Sequence, residues 1–101
     1  MELVKTKLDG VYIVEPKVYG DNRGWFMETY SEKAFKDAGI DVTFVQDNHS
    51  YSAQKGVLRG LHFQLNPMSQ AKLLRVLRGT LLDVVVDIRK GSPTYGQWIS
   101  V

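Results

Sequence analysis

The sequence predicts an all-β domain, an antiparallel barrel or sandwich with one short helix. Three observations predict it: apolar residues alternate in short runs, turn-forming residues separate those runs at close intervals, and helical spacing holds over a single stretch. At 101 residues the chain is one domain, near the small end of those that stand alone, so a partner subunit is expected.

In chain order, residues 11–14, 25–30, 42–46, 61–65, 73–77 and 81–88 carry the alternating or continuous apolar pattern of strands. Gly20-Asp21-Asn22-Arg23-Gly24 reads as a turn-rich loop. Residues 31–39 read as a helix, because Ser31 supplies a cap, Ala34, Phe35 and Ala38 recur at helical spacing, and Gly39 ends it. Arg78-Gly79-Thr80 lies between two strongly apolar runs, as the turn of a hairpin does. A further aromatic and β-branched strand begins at Gln97 and is followed by no closing turn or polar tail. A sheet ending there exposes an edge. The expectation is a barrel incomplete at its C-terminal end, its remaining strands supplied by a longer domain or by another subunit.

Composition narrows the function. Hydrophobic residues make up 44% and charged residues 24%, an ordinary globular balance that argues against disorder. The net charge of +2 gives no bulk electrostatic hold on nucleic acid or anionic lipid. Trp25, Trp98 and five tyrosines offer stacking surfaces for single strands, but the basic residues beside them are not clustered. With no cysteine there is neither a disulfide nor a thiolate nucleophile. The first residues lack the apolar block of a signal peptide, and no run approaches the roughly 20 apolar residues of a membrane span. A soluble cytoplasmic protein is expected, with no nucleic-acid or membrane partner.

The chemistry concentrates in Gly56-Val57-Leu58-Arg59-Gly60-Leu61-His62-Phe63-Gln64 and in Lys72. His62 shares strand parity with Gln64, while Leu61 and Phe63 point the other way. It is either a core histidine satisfied by hydrogen bonds or a general base in a cavity with apolar walls. Lys72 shares parity with Leu74 and Val76. It is either a solvated edge charge or an inward ammonium placed to stabilise negative charge on a carbonyl oxygen. Asp83 and Asp87 share one parity and predict a polar outer face, although Asp83 alternatively orients Lys72 or His62. Arg59 and His62 have opposite parity in an ideal strand and meet one ligand only if Arg59 precedes the strand or Gly60 makes a bulge. The planar fork of Arg59 suits a phosphate, and Arg23 in its glycine-flanked loop suits the same task. Gln46-Asp47-Asn48-His49-Ser50 offers donors and acceptors at a strand end, with His49 read as structural.

The spacing of Gly56, His62, Gln64, Lys72 and Gly79 resembles the first motif of the cupins, in which a second histidine and a glutamate hold a metal. Here Gln64 and Lys72 stand at those two positions. Glutamine is a weak transition-metal ligand and a protonated lysine is none, so a cupin barrel without a metal is expected.

The resemblance then extends over essentially the whole chain. Residues 20–28 (GDNRGWFME), 44–50 (FVQDNHS), 56–64, Gln70-Ala71-Lys72, 75–79 (RVLRG) and 83–89 (DVVVDIR) are similar, in order, to the N-terminal part of the dTDP-4-dehydrorhamnose 3,5-epimerases. That resemblance implies a single cupin-type jelly-roll domain over residues 1–101, lacking the family's C-terminal part. It implies a homodimer that needs no cofactor and no metal and acts on a dTDP-sugar. The place implied is dTDP-L-rhamnose synthesis, which feeds lipopolysaccharide and other cell-surface polysaccharides. Carried over by position, His62 is the base at C3 and C5 of the 4-keto sugar and Lys72 stabilises the enolate. Arg23, Phe26, Glu28, Gln46, Asp47, Asn48 and Arg59 contact the nucleotide sugar. The family's proton-returning tyrosine and the aspartate that partners its histidine match no position of this chain, and Tyr95, in a Pro-Thr-Tyr-Gly turn, is not their equivalent.

Overall fold

The computed structural model describes all 101 residues, and its regular structure lies at the two ends of the chain. Strand β1 (Glu2–Lys5) pairs antiparallel with β2 (Tyr12–Glu15), setting Leu3 opposite Val14 and Val4 opposite Ile13. Thr6 ties the connection between them. Its hydroxyl lies 3.1 Å from the Leu8 carbonyl and 2.9 Å from that of Val11, and accepts the Leu8 N–H at 3.2 Å. Leu8 is folded beneath this turn and buried.

Strand β3 (Val18–Asp21) pairs antiparallel with β4 (Gly24–Met27), with Asp21 opposite Gly24. The turn-rich stretch 20–24 therefore holds the tight turn of a hairpin whose connection is Asn22-Arg23, and its flanks join the two strands. No residue other than glycine has positive φ, and Gly24 takes the unusual conformation at φ +141°. A glycine at that position lets the two strands close around a short turn.

The expected helix forms as α1 (Glu32–Asp37). Ser31 Oγ accepts the Ala34 N–H at 3.2 Å, and Gly39 leaves the helix at φ +96° with its N–H on the Lys36 carbonyl. The pairs Glu32–Lys36 and Lys33–Asp37, each at 2.6 Å, line its outer face. Phe35, 2% exposed, is the inward anchor. Tyr30 meets it edge-to-face at 4.9 Å and meets Phe44 at 5.3 Å.

Strand β5 (Val84–Val86) pairs antiparallel with β6 (Trp98–Ser100), so the strand expected to begin at Gln97 is present. Asp83 and Val101 exchange two further hydrogen bonds at 2.9 Å. The expected hairpin at Arg78-Gly79-Thr80 does not form, since residues 73–77 have no ladder with β5. Gly79 (φ +91°) marks a bend there, and β5 takes its partner from the other side of the turn spanning residues 87–97.

Between the two ends the chain is unpaired, broken by turns or bends near residues 54–56, 66–68 and 77–79. From Asp41 to Leu82 one backbone-to-backbone hydrogen bond forms, Met68 N–H to the Leu65 carbonyl at 2.8 Å. The strands expected over 42–46, 61–65 and 73–77 have no ladder here, because a β-prone sequence becomes a strand only against a neighbour in register. The radius of gyration, 15.7 Å, accordingly exceeds the roughly 13 Å of a compact chain this long.

Candidate functional site

The hairpin β3–β4 presents the first group of candidate residues. Asp21 closes its turn by accepting the Arg23 backbone N–H at 2.8 Å, and the same carboxylate accepts Arg23 Nε at 3.1 Å and Nη2 at 2.6 Å. The carboxylate raises the Arg23 pKa, and the guanidinium in turn holds Asp21 below its usual range. Arg23 is thus oriented by a residue that sequence reasoning left in the turn. The available signal was an aspartate two residues before the arginine in a glycine-flanked loop. Phe26 and Glu28, on β4 and just beyond it, are exposed.

Gln46, Asp47 and Asn48 follow the aromatic cluster and are exposed. Gln46 Nε2 donates to Asn48 Oδ1 at 3.1 Å, which leaves Asp47 between them. Arg59 reaches back to the same segment, its Nη2 lying 3.2 Å from Ser52 Oγ and 3.4 Å from the Tyr51 carbonyl. One nitrogen is used, so the other side of the planar fork stays available to an anion.

Arg59 precedes Gly60, whose φ of +103° interrupts the extended run, so the opposite parity of Arg59 and His62 in an ideal strand does not apply. The His62 ring lies back over this glycine. A Cβ at Gly60 would sit 3.5 Å from His62 Cδ2 and 3.8 Å from Nε2. His62 and Lys72 are both exposed and take part in none of the four ion pairs, so within this chain no apolar wall encloses either. The structure brings together Arg23 with Asp21, Gln46 with Asn48, and Arg59 with Ser52. His62 and Lys72 stay on separate unpaired stretches. No three His, Asp or Glu side chains gather as metal ligands would.

Asp87 corrects a second expectation. It was placed on a polar outer face, yet its side chain is 1% exposed. Its carboxylate accepts Arg89 Nε at 3.0 Å and Nη2 at 3.1 Å, Ser92 Oγ at 2.5 Å and Thr94 Oγ1 at 2.7 Å. Arg89 first, then the two hydroxyls, hold Asp87 far below the usual carboxylate range. A buried carboxylate with this many donors anchors the β5–β6 turn. The sequence signal was an aspartate followed by Arg89, Ser92 and Thr94 within one turn.

What this set offers is two oriented guanidinium groups, an ammonium and an imidazole, all accessible and none neutralised except Arg23. Those are the groups needed to hold a diphosphate and move a proton beside a carbonyl.

Comparison with known proteins places the chain in a family. The family model described as dTDP-4-dehydrorhamnose 3,5-epimerase matches residues 5–101. The dTDP-4-dehydrorhamnose 3,5-epimerase of Shigella flexneri is 57% identical over 102 aligned residues, covering 100% of this chain and 56% of the relative. The crystal structure of the Bacillus anthracis enzyme of that name, with TDP and PPi bound, superposes with a TM-score of 0.94 at 46% identity, over 99% of this chain and 57% of that one. The Legionella pneumophila dTDP-6-deoxy-D-glucose-3,5-epimerase, solved with dTDP-4-keto-L-rhamnose, superposes at 0.88 with 51% identity, over 99% and 53%. The chain therefore spans about half the length of the relatives it matches. Its strands, its single helix and its long unpaired middle follow part of their jelly-roll trace closely, and by this trace and by its sequence the chain belongs to the dTDP-4-dehydrorhamnose 3,5-epimerase family.

Proposed function

We propose that this chain carries the proton-abstracting and phosphate-holding portion of a dTDP-4-dehydrorhamnose 3,5-epimerase. The substrate is a dTDP-4-dehydro-6-deoxy sugar, epimerised at C3 and C5 on the way to dTDP-L-rhamnose. The observation that carries the reading is the family match across residues 5–101, which includes His62, Lys72, Arg23 and Arg59.

In this reading His62 takes a proton from the carbon beside the 4-keto group. The C–H electron pair becomes the enolate double bond and the carbonyl pair moves onto oxygen, where the Lys72 ammonium stabilises it. Proton return from the opposite face re-forms the C–H bond with inverted configuration. That return falls to residues of the family beyond the stretch this chain matches. Arg23 and Arg59 hold the diphosphate, while Phe26, Glu28, Gln46, Asp47 and Asn48 contact the rest of the nucleotide sugar. A homodimer working in the cytoplasm completes the proposal. No helix is long and apolar enough to cross a membrane.

The test is deuterium exchange into the keto sugar in heavy water, followed by NMR. Deuterium is expected at C3 and C5, slowed roughly 100- to 10,000-fold by His62→Ala, the range for removing a positioned base. Nucleotide binding without exchange at any protein concentration identifies a catalytically silent binder and overturns the enzymatic reading.

A further inference from the structure

We propose that Ser52 is a positioning residue for the phosphate clamp. With the Tyr51 carbonyl it holds the Arg59 guanidinium through neutral acceptors, so that the arginine is oriented before an anion arrives and its charge is left unmatched. The inference rests on the reading of Arg59 as a phosphate ligand and adds a residue to it. Ser52 lies between the blocks 44–50 and 56–64 and belongs to neither.

The local backbone points to it first. Between Tyr51 and Arg59 the chain turns over residues 54–56, where Gly56 takes φ +79°. A Cβ there would meet nothing within 4 Å, so backbone conformation and not space calls for glycine. No backbone-to-backbone hydrogen bond joins the two arms of the turn. The Arg59 side chain joins them instead, with Nη2 at 3.2 Å from Ser52 Oγ and 3.4 Å from the Tyr51 carbonyl. The second distance is long for a hydrogen bond, so the Ser52 hydroxyl is the principal hold.

The contrast with Arg23 gives the second observation. Asp21 accepts from Arg23 Nε at 3.1 Å and from Nη2 at 2.6 Å, so a carboxylate matches that guanidinium. Arg59 joins none of the four ion pairs, and both of its partners are neutral oxygens. The pull on a phosphate follows the net charge near it, so Arg59 supplies the stronger attraction and Arg23 the more rigid direction. A free arginine must also be ordered at the moment of binding, which costs affinity. Ser52 removes part of that cost without cancelling the charge. With Nη2 engaged, the Nε–H and the two hydrogens of Nη1 remain as donors to the oxygens of a diphosphate.

Isothermal titration of this chain and its variants with pyrophosphate tests the assignment. Arg59→Ala is expected to weaken binding roughly 10- to 100-fold, and Ser52→Ala roughly 2- to 10-fold, the range for one neutral hydrogen bond. Ser52→Thr keeps the hydroxyl and is expected to bind nearly as the unaltered chain does. Ser52→Asp holds the guanidinium but matches its charge, and is expected to bind more weakly than Ser52→Ala. In the Arg59→Ala background, Ser52→Ala is expected to cause no further loss, because Ser52 acts through Arg59. A further loss there makes Ser52 a direct ligand and overturns the positioning role. Unchanged affinity in Ser52→Ala, no recovery in Ser52→Thr, or Ser52→Asp binding as tightly as Ser52→Ala overturns it as well. An Arg59→Ala chain that binds like the unaltered one, or an unaltered chain that binds no pyrophosphate, overturns the phosphate-holding reading and this inference with it.

Discussion

The Asp21 carboxylate holds Arg23 by three hydrogen bonds, to its backbone N–H at 2.8 Å, Nε at 3.1 Å and Nη2 at 2.6 Å. One side of the guanidinium is tied to the hairpin that carries it, and the remaining donors of Nη1 and Nη2 are left for an anion. The pair is exposed, so it adds little to stability and much to orientation. Arg23→Ala is expected to weaken pyrophosphate binding roughly 10- to 100-fold, as loss of a charged hydrogen-bond donor does. Asp21→Asn keeps the acceptor for the backbone N–H but loses the charge on the fork, so a smaller loss of a few fold is expected. Isothermal titration with pyrophosphate measures both, and an unchanged affinity in Arg23→Ala counts against Arg23 as a phosphate ligand.

Gly60 is required for its backbone. At φ +103° an L side chain is strained, while the contact of an added Cβ with His62, at 3.5 Å, is an ordinary one. Gly60→Ala is therefore expected to cost about 1–2 kcal/mol through φ, and to turn the chain so that the His62 ring leaves its position. Slower deuterium incorporation, with nucleotide affinity nearly unchanged, is the expected signature.

Phe35 is the largest anchor of α1, clamped edge-on by Tyr30. Phe35→Ala is expected to destabilise the helix docking by about 3 kcal/mol, the lower end for a buried aromatic. Near-UV circular dichroism of the tyrosines and faster amide exchange over α1 report it. Ser31→Ala, which removes only the cap, is expected to cost about 1 kcal/mol.

Asp87 makes the β5–β6 turn sensitive to acid. Its folded pKa lies far below the unfolded value, so its stabilising contribution is fully present above the ordinary carboxylate range. The contribution is lost progressively as the pH falls below about 4 toward the folded value. Amide exchange at Gly96, whose N–H donates to the Asp87 carbonyl at 2.7 Å, is expected to accelerate over that window once intrinsic rates are divided out. Asp87→Asn is expected to show fast exchange already at neutral pH and to lose the acid dependence.

Local signals were read correctly where the interaction is local. Ser31 and Gly39 bound the helix because a cap and a left-handed exit involve neighbours three or four residues away. The expected strand at 25–30 forms as β4, and the turn-rich stretch 20–24 holds the turn, whereas β3 has no expected counterpart: Gly20 lowers strand propensity there, and pairing of Val18 with Met27 and Tyr19 with Phe26 overrides it. Asp87 was misplaced because parity assumes a continuing strand, and the chain turns there to bring Ser92 and Thr94 onto its carboxylate.

The sequence by itself determined the β-rich class, the helix and the last strand, and it offered an imidazole, an ammonium and two guanidinium groups as candidates for proton transfer and anion binding. Each of these depends on side-chain chemistry or on contacts between near neighbours. Tertiary structure decided that β5 pairs with β6, that Asp21 grips Arg23, that Asp87 is buried, and that residues 41–82 form no ladder. The physical reason is that a strand is defined by its neighbour. Alternating residues specify which way side chains point, and only a second strand in register satisfies the backbone between them.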